Sequence, residues 1–310
     1  MDIKVAVLGS INRDFTALAS RLPRRGEIVE GFGLGIHVGG KGSNQAVQAA
    51  LLGAQTYFIG CTGDDENGDI VRSSLAERGV LVDYLQRVEG AQTGNCTILV
   101  DQNGDNMLVY CPGANKMITK EHIDAASGAI KQADILITQN EINQDAVLYG
   151  LQMARDAGVK TVLNPAPALP LTEEIYSVTD YITPNETESE GYTGLMLADM
   201  PFDDWKRANA EWFLNKGVKG VCITLGSKGA YYCDDSREIS LAAFPVTPVD
   251  TTAAGDSFNA GFAVGISEGL DLRDTLRLAS ACGALATERP GAHSAIHTRK
   301  EIQDFLAGQG

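Results

Sequence analysis

An α/β fold with a mostly parallel sheet covered on both faces follows from two patterns in the chain, and a third pattern adds a small sheet standing apart from it. From residue 119 onward, helical stretches and short apolar strands alternate. Polar clusters at 12–14, 139–141, 185–188 and 226–229 each follow a strand. They therefore converge on one edge of the sheet, where open α/β sheets form their ligand crevice. The glycine-rich stretch 26–38 and the β-rich pair 95–100 and 107–111 fall outside the alternation.

Taken in order, residues 5–9 read as a buried strand running into Ser10-Ile11-Asn12-Arg13-Asp14, either a polar loop or a ligand-facing strand end. Gly39-Gly40-Lys41-Gly42-Ser43-Asn44 opens a helix that continues to Leu52 and stops at Gly53. Gly35 to Lys41 also fits G-x-x-x-x-G-K, but Gly42 stands where a P-loop needs Ser or Thr for magnesium, so that reading is rejected. The glycines instead let the backbone approach a small polyol, with Asn44 at the helix start to bond its hydroxyls. A strand at 56–60 and a helix at 66–78 follow. The strands at 95–100 and 107–111 are joined through Asn103-Gly104, a hairpin signal. With 26–38 they predict a lid; an edge extension or a dimer surface stays open. Further on, helices are expected up to Ile130, at 145–157 and at 203–215, with strands at 135–137, 161–163, 181–182 and 221–225. No repeat or linker interrupts the chain, which reads as a single domain over 1–310 with lid strands inserted at about 26–38 and 94–111.

Composition bounds the function. A length of 310 residues, 44% hydrophobic and 21% charged, suits a soluble globular protein. The net charge of −15 leaves no basic stripe for a nucleic acid. Six scattered cysteines, without C-x-x-C or metal spacing, are expected to be reduced and buried, as in a cytoplasmic protein. There is no basic leader before the first strand and no apolar run of membrane-spanning length, so no membrane partner is expected.

The chemistry concentrates near the C-terminus, in Asp250-Thr251-Thr252-Ala253-Ala254-Gly255-Asp256. Small residues bare the backbone just before an apolar helix-spaced stretch, and free amides at a helix start hold anionic oxygen. Asp256 in that turn could take a proton from a hydroxyl while the amides steady a phosphoryl group. An N-cap Asp after a glycine turn is the plainer alternative.

Two runs together, Gly39-Gly40-Lys41-Gly42-Ser43-Asn44-Gln45-Ala46 and Asp250–Asp256, resemble the signatures of the ribokinase (PfkB-type) carbohydrate kinase family. Asn164-Pro165-Ala166-Pro167-Ala168, Thr183–Glu188 and Ile223–Gly229 lie between them in matching order. The resemblance implies a three-layer α/β/α ribokinase-like core with a β-sheet lid over the sugar, often shared in a homodimer. It implies ATP-dependent phosphorylation of a primary hydroxyl, with ribose to ribose 5-phosphate as the leading reaction. Deoxyribose, a ketose, a sugar acid or a nucleoside are alternative acceptors, and a non-catalytic sugar or nucleotide sensor is a different class. Asp256 would be the base, and the backbone of Ala253, Ala254 and Gly255 the anion hole. Asn12, Asp14, Gly40, Lys41, Asn44 and Glu141 would hold the sugar. Asn185, Thr224, Gly226, Ser227, Gly229 and Gly255 would lie along ATP, and Glu188 would act through Mg2+ and its waters. A monovalent cation, K+, would be held by Asp250 and by carbonyls near Thr252, Ala286, Arg289 and Gly291, although Ala295 stands where the family offers a serine. Asn95, Cys96, Asn140 and Tyr110-Cys111-Pro112 depart from the family around the sugar. Of the remaining candidates, His37, His122, His293 and His297 read as loop or surface residues, Trp205 and Trp212 as packing residues, and Lys41 equally as a solvated side chain. Residues 21–30 read as a solvated lid edge.

Overall fold

The structure, a computed structural model, describes residues 3–309. Its strands are Lys4–Leu8 (β1), Asn12–Ala19 (β2), Gly31–Gly39 (β3), Gln55–Gly63 (β4), Leu81–Val88 (β5), Asn95–Val100 (β6), Asn106–Cys111 (β7), Ile135–Gln139 (β8), Lys160–Asn164 (β9), Tyr181–Ile182 (β10), Gly220–Thr224 (β11), Ala230–Asp234 (β12) and Glu238–Leu241 (β13). The helices are Lys41–Leu51 (α1), Glu66–Glu77 (α2), Lys120–Ala125 (α3), Ser127–Gln132 (α4), Gln144–Asp156 (α5), Glu173–Ser177 (α6), Glu186–Thr193 (α7), Phe202–Leu214 (α8), Ala254–Glu268 (α9), Leu272–Ala286 (α10) and Arg299–Ala307 (α11).

Nine strands form the large sheet in the order β13-β12-β11-β10-β9-β8-β1-β4-β5, parallel from β11 to β5. An apolar run without alternation is what a strand buried on both faces needs. Val5 and Val7 pack with residues of α1, α9 and α10, whereas Ala6 and Leu8 pack with residues of α5 and α8 on the other face. The expected three layers follow. From β1 the chain winds outward through β4 and β5 on one side and through β8 to β11 on the other. The switch point, where a crevice opens, thus lies between the ends of β1 and β8.

The small sheet has the order β3-β2-β6-β7, with β2 antiparallel to β3 and parallel to β6. Here the structure corrects the sequence reading. Asn12–Ala19 is a strand of this sheet, its β-character hidden by a polar start. Residues 26–30 are not strand: Glu27 closes a turn onto the Arg24 carbonyl at 2.9 Å, and Arg21 pairs with Glu27. Residues 21–30 are otherwise a largely exposed edge, as expected. The strands β5, β12 and β13 and the helices α6, α10 and α11 are not in that reading, and the polar run at 185–188 that follows β10 starts helix α7. The antiparallel pair β12–β13 breaks the βα rhythm, so an alternation argument cannot reach it.

Side-chain placement matches the reading of the tryptophans but not of all histidines and cysteines. Trp205 is fully buried, and Trp212 packs edge-on against Tyr176 and Phe213. His293 and His297 are buried rather than on the surface. All six cysteines are free, but Cys96 is only half-buried and Cys111 is exposed, because both lie on the small sheet rather than in the core. Among the described residues, no helix is long and apolar enough to cross a membrane.

Candidate active site

The start of α1 sits directly against the end of β1. Gly40 has φ +94°, and a Cβ there would lie 2.8 Å from Ile11 Cα; one on Gly42 would lie 2.7 Å from the Ser10 amide. Only bare backbone fits this approach. It brings the Lys41 amide to 3.3 Å from Glu141 Oε2, which also accepts from Ser10 Oγ at 2.5 Å. Asn44, one turn along, donates through Nδ2 to Asp256 Oδ2 at 2.8 Å, and Gln45 Nε2 donates to Asp256 Oδ1 at 3.1 Å. Gln45 is itself fixed by Asn164 and by Gln139, whose Nε2 donates to it at 2.7 Å. Gln45 was quoted in the motif without a role; the missing signal was its second position on the helix face that meets α9.

Asp256 is buried in the first turn of α9, and its carboxylate reaches sideways to α1 instead of capping its own helix. The N-cap alternative is therefore wrong: the cap residue is Ala253, with no side-chain bond. Ala253 has φ +62°, and it is the one non-glycine residue in the left-handed region among the described residues. That conformation costs an L-residue roughly 1–2 kcal/mol, and such strain concentrates at functional sites.

Beyond Asp256, Ala254 and Gly255 open onto a cleft of about 810 Å3. Asn185, Thr224, Gly226, Ser227 and Gly229 line the same cleft, so the residues expected along a nucleotide do come together. Its other wall is apolar, with Phe244, Val246, Pro248 and Phe258. Sequence reasoning missed this wall because residues 243–248 carry no periodic pattern. The Gly35–Lys41 span takes no part in the cleft, in line with the rejected P-loop.

Asn185 and Glu188 cap α7 reciprocally: Asn185 Oδ1 accepts from the Glu188 amide at 2.7 Å, and Glu188 Oε2 accepts from the Asn185 amide at 2.9 Å. Burial pushes the Glu188 carboxyl above its ordinary range, opposed by that amide and by the charge of Lys41. Burial works against the Lys41 ammonium, but Asp256, Glu141 and Glu188 outweigh it and raise its pKa. Lys41 is therefore partly buried among three carboxylates, not a solvated side chain.

The small sheet supplies a cross-strand row. Asp14 on β2 pairs with His37 on β3. On the other side the register runs Asn12–Gly94 and Phe15–Thr97, which sets Asp14 beside Cys96, and Cys96 pairs with Tyr110 on β7. Residues opposite one another share a face. The Cys96 amide donates to Asp14 Oδ1 at 3.0 Å, and a Cβ on Gly39 would lie 2.4 Å from Asp14 Oδ2. Burial pushes the Asp14 carboxyl up to about 6, against the Cys96 amide and with help from Glu141. Asn12 is buried, its Oδ1 accepting from Asn115 Nδ2 at 2.8 Å. Asn140 does not extend this cluster, since its amide donates to the Pro167 and Leu169 carbonyls at 3.1 and 3.0 Å. Its expected influence on a ligand is thereby corrected: it holds a loop.

Asp250 gathers the loops before α9 and after α10. Its Oδ1 accepts from the Thr252 amide at 2.9 Å and from Thr252 Oγ1 at 2.7 Å, and its Oδ2 accepts from the Gly291 amide at 2.8 Å. Burial opposes its charge, but these bonds hold the carboxyl below its usual range. Ala286 ends α10 next to Thr287, whose carbonyl accepts from Val249 and Asp250. The Arg289 side chain turns away to Glu301 at 2.9 Å. Ser294 Oγ donates to the Pro290 carbonyl at 2.8 Å, and Ala295 is buried. His293, one turn away, sits 3.1 Å from Ser43 Oγ and 3.2 Å from Ser74 Oγ, tying this loop to α1 and α2.

A family described as pfkB family carbohydrate kinase matches residues 2–299. Ribokinase of Haemophilus influenzae is 38% identical over 302 residues, 97% of this chain and 98% of that protein. Deoxyribokinase of Salmonella typhi is 32% identical and covers 98% of both chains. The structure of Arabidopsis thaliana ribokinase complexed with ribose and ATP superposes with a TM-score of 0.91 at 30% identity, over 99% of each chain. The matches run nearly end to end, and the chain belongs to the pfkB family of carbohydrate kinases.

Proposed function

We propose that the protein transfers the γ-phosphoryl group of ATP to the primary hydroxyl of a pentose, with ribose to ribose 5-phosphate as its reaction. The observation that carries this reading is the position of Asp256, held by Asn44 and Gln45 at the seam between the polar α1 turn and the cleft lined by Ala254 and Gly255. In that position the carboxylate takes the proton of the attacking hydroxyl, and the amides at 253–255 receive the phosphoryl oxygens. Asn12, Asp14, Lys41, Asn44 and Glu141 orient the sugar. The apolar wall takes the base of ATP, and Asn185, Thr224, Gly226, Ser227 and Gly229 follow its ribose and phosphates.

Glu188 suits a metal that takes one carboxylate, water and substrate phosphates, which is how Mg2+ is usually held; bound there, Mg2+ would neutralise phosphate charge. The loop around Asp250 offers oxygen donors near Thr252, Ala286, Arg289 and Gly291, which suits K+, but the His37 ring stands beside Gly291 and Ala295 withholds a hydroxyl. We read the small sheet as a lid and its outer face as a homodimer contact: Leu34, Ile36, Met107 and Val109, on the face opposite Asp14, are exposed. Free cysteines throughout fit a cytoplasmic protein.

The test is release of ADP from MgATP with ribose, deoxyribose, fructose, a sugar acid and adenosine as acceptors, each with K+ or Na+. Ribose should give the highest kcat/KM. A clear preference for another acceptor would reassign the substrate, and sugar binding without turnover would leave a sensor.

A further inference from the structure

Tyr110 stands at the end of β7, on the face of the small sheet that carries Asp14 and Cys96. Its ring is half-buried, and its hydroxyl lies 3.4 Å from Asn115 Nδ2. Asn115 is fully buried and rigidly held: its Oδ1 accepts from the Ile11 amide at 2.9 Å, and its Nδ2 donates to Asn12 Oδ1 at 2.8 Å and to the Ile11 carbonyl at 3.2 Å. The two Nδ2 protons are taken by the shorter bonds to Asn12 and Ile11, so the phenol oxygen makes only the long third contact with Asn115, and its proton has no acceptor among the described side chains and backbone. Burial, with the nearby Glu141, holds the phenol well above its ordinary range, so it stays a protonated donor. The groups around it are Glu141, Asp14, Cys96 and Asn115, whereas Asp256 instead bears on Lys41 and Glu188.

We propose that Tyr110 is a specificity-determining residue whose hydroxyl donates to an acceptor hydroxyl remote from the one that is phosphorylated. The proposal rests on the pentose-kinase reading and deepens it. For a pentose phosphorylated at C5, the hydroxyl read by Tyr110 is one of those on C1, C2 or C3. A buried donor built to meet a hydroxyl penalises a sugar that lacks it, because the phenol proton is then left without a partner. Asn115 is a positioning residue here, its amide bonded to the Asn12 oxygen and the Ile11 carbonyl and set against the phenol oxygen.

The experiment compares wild type and Tyr110→Phe with ATP and four acceptors: ribose and its 1-deoxy, 2-deoxy and 3-deoxy analogues, with thermal melting as a check on folding. In wild type, one deoxy analogue should fall at least about tenfold below ribose in kcat/KM. In Tyr110→Phe, ribose should fall about tenfold, mostly through KM, while that one analogue stays within about twofold. An equal loss for every sugar would mean that the ring only packs, and no loss for ribose would mean that the proton meets nothing; either overturns the proposal. Wild type inactive with all pentoses would instead remove the underlying pentose-kinase reading.

Discussion

The two halves of the proposed site are built differently. On the side proposed for the acceptor, Asn12, Asp14, Asn44, Gln45 and Glu141 present side chains held in buried and part-buried hydrogen-bond networks. On the side proposed for the nucleotide the lining joins glycines and other small residues and an apolar wall to short hydroxyl side chains and Asn185. A network of paired polar groups discriminates, because each mismatch strands a partner; a backbone cradle accepts a common phosphate chain and leaves discrimination to shape. Substitutions should therefore break the halves differently: loss of a polar atom on one side, addition of a carbon on the other. The seam between them, Asp256, should give the largest effect. Asp256→Asn keeps the volume and removes the base, so kcat should fall by about 10²–10⁴ while both substrates still bind. Turnover within a few-fold of wild type would show that the carboxylate is not the base.

The next effect down belongs to the cradle. A Cβ on Gly255 would meet no atom within 4 Å, so the residue faces open space in the cleft and the fold tolerates a side chain there. Gly255→Val should raise the KM for ATP by about tenfold or more, with the sugar KM and the melting temperature nearly unchanged. A matching rise in the sugar KM would show that the halves are not separable at this residue.

On the acceptor side Asp14 gives a pH signature. Its carboxyl is pushed up to about 6 by burial, so the native state keeps this proton over a range in which the unfolded chain has lost it. Its contribution to stability is then fullest below the unfolded pKa and is lost as pH rises through about 6. Asp14→Asn should therefore gain melting temperature relative to wild type between pH 4.5 and pH 8. The wild-type sugar KM should rise below pH 6, where the carboxylate becomes protonated, whereas the variant should show a higher and flat KM. A wild-type KM without an inflection near pH 6 would mean that Asp14 does not titrate against the sugar.

The same contrast explains what the sequence could disclose. The core was legible because a strand buried on both faces must be apolar throughout, as Val5 to Leu8 are, and because glycine turns bound the helices. Asp256 stood out for its bare neighbours, and the clusters at 185–188 and 226–229 for lying just past strands, while their place along a nucleotide was implied only by the family resemblance. Strand β2 was not legible, because Asn12 and Asp14 interrupt the apolar run that marks a core strand, and that stretch read either as a polar loop or as a ligand-facing strand end. Nor were Gln45 and Asn115, whose partners at sequence separations of 211 and 103 residues only folding brings together. Asn140 shows the reverse error: a polar residue beside Glu141 in sequence faces away from it, since neighbours leaving a strand point to opposite sides.

The smallest effect tests whether the backbone cradle depends on strain. Ala253 occupies a left-handed conformation at φ +62° that glycine adopts freely, and the family-like run carries alanine there nonetheless. Ala253→Gly relieves about 1 kcal/mol or more of steric cost but gives the unfolded chain more freedom, worth about 0.4–1 kcal/mol in the other direction. The net gain in stability should be below about 1 kcal/mol, a rise of about 2 °C or less in Tm. If alanine is there to hold the 253–255 amides in one orientation, the glycine variant should lose a few-fold in kcat despite being the more stable protein, and its KM for sugar should not move. Unchanged kcat would mean that the turn is fixed by the Asp250 bonds to Thr252 and Gly291 alone, and that the strain at Ala253 does nothing for phosphoryl transfer.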